Sequence, residues 1–126
     1  MIKRRALDEV SKLPSIIDRD AVYVGNLEGR DNYVVHGEVT GDADLEGALM
    51  LGPGCRWQGN IRADVVVVRG RVMGDIQARV KLDLRATARV TGNVSGPLIA
   101  IADGAVVQGE IGGDSVINHY RERRTH

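Results

Sequence analysis

The chain has 126 residues, 43% of them apolar, with 17 Lys plus Arg balancing 17 Asp plus Glu; that is enough for one domain with a modest core. Zero net charge argues against an extended nucleic-acid surface, which needs surplus cations to neutralise phosphates, and the single cysteine, Cys55, excludes an intramolecular disulfide and fits a reducing compartment. Aromatic residues are only 3%, with no Phe, as a narrow interior would require, and no stretch is apolar for long enough to span a bilayer.

In chain order, residues 1–21 form an N-terminal tail. Arg5 to Leu13 is predicted as a short helix with Leu7, Val10 and Leu13 on one side, stopped by Pro14. Met1, Ile2, Lys3, Arg4 and Arg5 combine apolar and basic side chains and are a candidate contact with anionic lipid. Such a segment binds weakly alone, but a polymer multiplies the contact. The other reading is a solvated leader. No uninterrupted apolar run follows Lys3-Arg4-Arg5, so a secretory signal is not expected and a cytoplasmic location is.

Residues 22–117 repeat one phrase: apolar, spacer, Gly, polar, apolar. The copies are Tyr23-Val24-Gly25-Asn26-Leu27, Val39-Thr40-Gly41-Asp42-Ala43, Trp57-Gln58-Gly59-Asn60-Ile61, Val72-Met73-Gly74-Asp75-Ile76, Val90-Thr91-Gly92-Asn93-Val94 and Val107-Gln108-Gly109-Glu110-Ile111. Their glycines step by 16, 18, 15, 18 and 17 residues. A short fixed period is the signature of stacked identical units. A second column runs in phase: Tyr33/Val35, Leu49/Leu51, Val66/Val68, Leu82/Leu84, Ile99/Ile101 and Val116/Asn118. Within each pair the residues sit two apart, which is the strand period.

The residue after each repeated Gly is Asn, Asp or Glu and is expected to face water. Gly suits the corners a coil must turn, and Gly52-Pro53-Gly54, Ala63-Asp64 and Asp103-Gly104 are further turn candidates. Near Ala63-Asp64 the inward parity switches from Ile61 and Ala63 to Val66 and Val68, as at a corner between two flat strands. The expected fold is a single-domain, all-β β-solenoid of about six coils with short irregular tails. At ~4.8 Å per coil, six coils make a rod of roughly 25–30 Å. Residues 118–126 are read as a basic, disordered tail.

Candidate chemistry is sparse. His36, His119 and His126 are the only histidines; the first two are placed at opposite ends of the stack, where no convergent zinc site or histidine base arises. Asp42, Asp44 and Glu46 alternate on one outer face, which is read as solvated rather than cation-binding. Cys55 shares a column with Ala88 and Ala105 and is read as a small buried filler. Trp57 lies either at a wide point of the interior or displaced outward. Neither catalytic residues nor a cofactor are expected, and no phosphate-cradling loop is present. A hexapeptide-type acyltransferase would need a sixfold period, which the chain lacks.

A lone solenoid exposes unpaired backbone groups at both ends, and monomeric repeat proteins cover them with polar caps. Here the apolar columns run to both ends: Tyr23, Leu27, Tyr33 and Val35 at one, and Ile99, Ile101, Val107, Ile111 and Val116 at the other. These are the candidate self-assembly residues. The alternative is a non-polymerising adaptor that binds a protein through its lateral faces.

The run from Val35 to Ile111 resembles a bactofilin domain. The resemblance rests on Val35-His36-Gly37-Glu38-Val39-Thr40-Gly41, on Gln58 to Asp64, on Val66 to Ile76, on Ala88 to Val94 and on Asp103 to Gly109. It implies a right-handed parallel β-helix that polymerises end to end, without nucleotide, into non-polar filaments. It also implies partners: other copies, the inner membrane, and cell-wall enzymes or chromosome-partitioning proteins. The family commonly carries Phe at the position of Val107, so the resemblance implies a smaller end contact here.

Overall fold

The computed structural model describes residues 15–17, 19, 21–30, 32–112 and 116–120. The expected helix from Arg5 to Leu13, the cluster from Met1 to Arg5 and residues 121–126 lie outside them.

Short strands form where aliphatic and β-branched residues recur two apart, because such side chains suit a pleated surface. There are sixteen. In the N-terminal half they are β1 (Ser15–Ile17), β2 (Val22–Val24), β3 (Leu27–Gly29), β4 (Tyr33–Val35), β5 (Glu38–Thr40), β6 (Ala43–Leu45), β7 (Ala48–Leu51) and β8 (Arg56–Gln58). There follow β9 (Ile61–Val68), β10 (Arg71–Met73), β11 (Ile76–Leu84), β12 (Arg89–Thr91), β13 (Val94–Ser95), β14 (Leu98–Ala102), β15 (Val106–Gln108) and β16 (Val116–Tyr120). No helix occurs among the described residues.

Every pairing is parallel, and each coil lies against the next as an all-β solenoid. One face is a six-stranded sheet in the order β2-β5-β8-β10-β12-β15, so the rod has about five complete turns. The other sheet has ten strands and two limbs. Its first limb stacks β3, β6, the start of β9, the start of β11, and β13. Its second limb runs β1-β4-β7-β9-β11-β14-β16. The long strands β9 and β11 pass through both limbs and turn the corner within themselves. There β11 holds one extra residue, between Ala78 and Lys81, and Val80 is pushed into solvent at 56% exposure. A one-residue bulge of this kind bends a strand without ending it.

The repeated phrase is in register throughout. Tyr23, Val39, Trp57, Val72, Val90 and Val107 form one column. Leu27, Ala43, Ile61, Ile76, Val94 and Ile111 form another. Tyr33, Leu49, Val66, Leu82 and Ile99 form a third. The interior of these columns is buried and makes one continuous core. Trp57 belongs to it at 1% exposure. Its coil also carries Cys55 and Ala63, and the preceding coil Ala43, so small residues leave the volume an indole needs. Its Nε1 is buried with no hydrogen-bond partner among the described residues.

The corner glycines stack too. Gly59 has φ of 139°, and a Cβ there would strike the carbonyl oxygen of Gly41 one coil below. Both the backbone angle and the coil spacing therefore demand Gly. Beside this column runs a ladder of short acceptors. Asn26 Oδ1 accepts the Asp42 N–H (2.9 Å), Asp42 Oδ1 that of Asn60 (2.9 Å), and Asn60 Oδ1 that of Asp75 (3.1 Å). Asp75 Oδ1 then accepts from Asn93 (3.0 Å), and Asn93 Oδ1 from Glu110 (3.0 Å). These side chains do face water, as the sequence indicates. They also satisfy backbone donors at corners where no strand can.

Three features differ from the sequence reading. Asn118, His119 and Tyr120, expected in a disordered tail, belong to strand β16 and pair with Ala100, Ile101 and Ala102. Ser15–Ile17, within the N-terminal tail, is a strand paired to Tyr33–Val35. At the other end the second column shifts by one residue: Ile117 pairs with Ile99 and His119 with Ile101, in place of Val116 and Asn118. The last coil takes a step of 18 rather than 17.

Candidate functional site at the two ends of the solenoid

At the N-terminal end the inward columns finish on three side chains. Ile17 is in register with Val35, Tyr23 with Val39, and Leu27 with Ala43. Ile17 and Tyr23 are partly buried against the core and Leu27 is fully buried. Tyr23 is held by its hydroxyl, which donates to the Asn26 carbonyl at 3.2 Å. On the outer side of the same terminal strand, Val22 and Val24 are 66% and 76% exposed. Tyr33 and Val35 lie one rung inside this end, under β1, and are buried.

The C-terminal end has the same plan. Val107 stacks on Val90, Ile111 bridges to Val94, and Ile117 stacks on Ile99. Val107 and Ile111 are partly buried against the core, and Ile117 is 38% exposed. Ile99 and Ile101 are interior to this end, covered by β16. Val116 is in register with Leu98, not with Ile99.

The three inward columns thus finish on Ile17, Tyr23 and Leu27 at one end, where Leu27 is fully covered and only Ile17 and Tyr23 are partly open, and on Val107, Ile111 and Ile117 at the other. Among the described residues, no Asp, Glu, Lys or Arg occupies a terminal position of these columns. Of the residues singled out in the sequence, Tyr23, Leu27, Val107 and Ile111 lie at the ends of their columns. Sequence reasoning missed Ile17 because no glycine phrase precedes it. It missed Ile117 because one extra residue in the last coil shifts the parity.

The remaining candidates have structural roles. His36 packs over Gly52, where a Cβ would collide with its imidazole, and His119 is exposed at the other end; His126 lies outside the described residues. No cluster of metal-ligand type occurs among the described residues. Asp44 pairs with Arg79 (3.0 Å) and Arg62 (4.0 Å), and Glu46 with Arg30 (3.1 Å). Arg79 also donates to the Leu45 carbonyl (2.7 Å) and to Asp64 (3.0 Å), clamping three coils at the corner beside the bulge. Cys55 is buried, and burial pushes its thiol up to about 12. A thiol so hard to ionise is a filler, not a nucleophile.

A stack of parallel coils whose inward apolar columns run from end to end defines an all-β, parallel β-solenoid. The family model for bactofilins, described as polymer-forming cytoskeletal, matches residues 15–112. The chain belongs to the bactofilin family. It is similar to bactofilin BacO of Myxococcus xanthus (strain DK1622), at 32% identity over 97 residues covering 77% of each chain. It is also similar to bactofilin BacP of the same organism, at 27% identity over 97 residues, and spans 40% of that protein's length. No solved structure matches. No described helix is long and apolar enough to cross a membrane.

Proposed function

We propose that this polymer-forming cytoskeletal protein assembles end to end, without nucleotide, into filaments that scaffold cell-shape or cell-wall factors in the cytoplasm. The observation that carries this reading is that the inward apolar columns run to both ends, with Ile17 and Tyr23 only partly covered at one and Val107, Ile111 and Ile117 only partly covered at the other, on backbone paired on one side only within the described residues. Joining two such edges hides apolar area and gives the free N–H and C=O groups partners. A like-to-like joint at each end is isologous, and alternating two such joints leaves the filament without direction. Met1 to Arg5 would hold the filament to the inner face of the cytoplasmic membrane.

The test is electron microscopy and sedimentation of purified protein without nucleotide. Filaments that pellet in the wild type and disperse in Val107→Glu and Ile111→Lys, with unchanged β-type circular dichroism, are the expected result. Monodisperse particles of the wild type across micromolar concentrations would overturn it. Liposome co-sedimentation with and without residues 1–14 tests the membrane contact separately.

A further inference from the structure

Five of the six glycine corners are bonded to the preceding coil in one way. The residue after the Gly accepts, on its carbonyl, the N–H of the apolar residue one coil earlier. Asp42 accepts from Leu27, Asn60 from Ala43, Asp75 from Ile61, Asn93 from Ile76 and Glu110 from Val94, all at 2.8–2.9 Å. Beside these bonds the glycines themselves stack. A Cβ at Gly41, Gly59, Gly74, Gly92 or Gly109 would strike the carbonyl of the preceding Gly. Gly25 and Asn26 hold the same two positions in the first coil, and no glycine phrase precedes them. One side chain takes both of the places that a preceding coil would fill. The Tyr23 hydroxyl donates to the Asn26 carbonyl at 3.2 Å. The atoms nearest to a Cβ at Gly25 are Cε1, Cζ and Oη of the same ring, at 3.5–3.7 Å.

Tyr23 thus stands in for a missing coil. Its register column otherwise holds Val39, Trp57, Val72, Val90 and Val107. None of these carries a hydroxyl; the residue that does is on the terminal rung. A carbonyl left open at a sheet edge is a template for another strand, and proteins blunt such edges by covering them.

We propose that Tyr23 is a built-in cap on the N-terminal edge, closed over Gly25 and Asn26 in the single chain and swung aside in the filament. A coil of a second copy laid on this edge at the ~4.8 Å of a sheet enters the space the ring fills, whichever way its strands run. The ring must leave, and the Asn26 carbonyl must exchange the hydroxyl for a partner on the newcomer. Rotation about the Cα–Cβ bond of Tyr23 releases both contacts together. The ring is only partly buried, and its freed hydroxyl bonds water, so the cap delays the joint without forbidding it. It sets the concentration at which the N-terminal joint forms. The inference rests on the end-to-end reading above and names a residue that regulates one of the two joints.

Tyr23→Phe tests it, because it keeps the ring and its apolar area and removes the hydroxyl. In sedimentation of the full chain the critical concentration should fall about threefold, within the range of one neutral hydrogen bond, and light scattering should show a shorter lag. Circular dichroism establishes that the variant is folded. A bond that merely braces the chain predicts the reverse, a lower melting temperature with the critical concentration unchanged, and that result would overturn the cap. A raised critical concentration would overturn it by placing the hydroxyl within the joint. Filaments formed by Tyr23→Phe but not by the wild type would support the cap in its strongest form. The contact is read separately from assembly, by the 13C shift of the Asn26 carbonyl in labelled protein below the critical concentration. No change of that shift in Tyr23→Phe would overturn the cap whether or not filaments form. A changed shift with no filament from either protein would instead sink the end-to-end reading, and the gating of its joint with it.

Discussion

Cys55 shows how little a residue's chemistry means apart from its surroundings. It sits in a column with Gly70 and Ala88 at 1% exposure, and burial alone raises its thiol from 9.0 to about 12. The folded state therefore keeps a proton that the unfolded chain releases above pH 9. Its contribution to stability is complete below pH 9 and is lost as pH rises toward 12, at about 1.4 kcal/mol per pH unit. Between pH 9 and 11 the melting temperature of the wild type should fall more steeply than that of Cys55→Ala. The same thiol should resist Ellman's reagent until the protein unfolds. Equal pH slopes for the two proteins would show that the site is open to water.

At the scale of the coil, corners decide more than strands. Gly59 and Gly29 both hold positive φ, 139° and 136°, but only at Gly59 would a Cβ strike backbone, the carbonyl of Gly41; at Gly29 nothing lies within 4 Å. Gly29→Ala should therefore cost about 1 kcal/mol, the conformational penalty alone. Gly59→Ala should cost about 2–3 kcal/mol or more, because two coils must separate. Chemical denaturation of the pair measures the difference, and equal losses would show that coil spacing adjusts freely. The Asn/Asp ladder beside these glycines works by the same economy. Its side chains are short enough to reach the next coil's N–H without leaving the corner.

At the scale of the rod, the proposed joint makes the ends the place to test. The Val107 side chain closes the C-terminal end of its column on Val90 and is partly exposed. Val107→Phe adds apolar area at the joint without touching an inner rung. At about 25 cal/mol per Å², even 40 Å² more buried surface is worth about 1 kcal/mol. The critical concentration for filament formation should fall roughly fivefold, read by sedimentation. An unchanged value would place Val107 outside the joint. Since assembly would be driven by apolar burial, moderate salt should leave filament mass nearly constant.

Much of this architecture is local and was therefore legible in the sequence. A coil returns to the same place after each glycine phrase, so the period alone determined the parallel stack, the six rungs of the glycine column and the inward side of Leu49, Val66, Leu82 and Ile99. The family resemblance on the same residues anticipated the polymer-forming class. What periodicity does not contain is volume and register beyond the repeat. Trp57 lies inside at 1% exposure, in a column otherwise filled by Val and Tyr, which the repeat alone did not decide. Ser15–Ile17 became a strand through pairing with Tyr33–Val35 rather than through a phrase of its own. One added residue in the last coil put Ile117 in register with Ile99 where the count gave Val116. Spacing along a chain sets which residues recur, but contacts between turns set which of them meet.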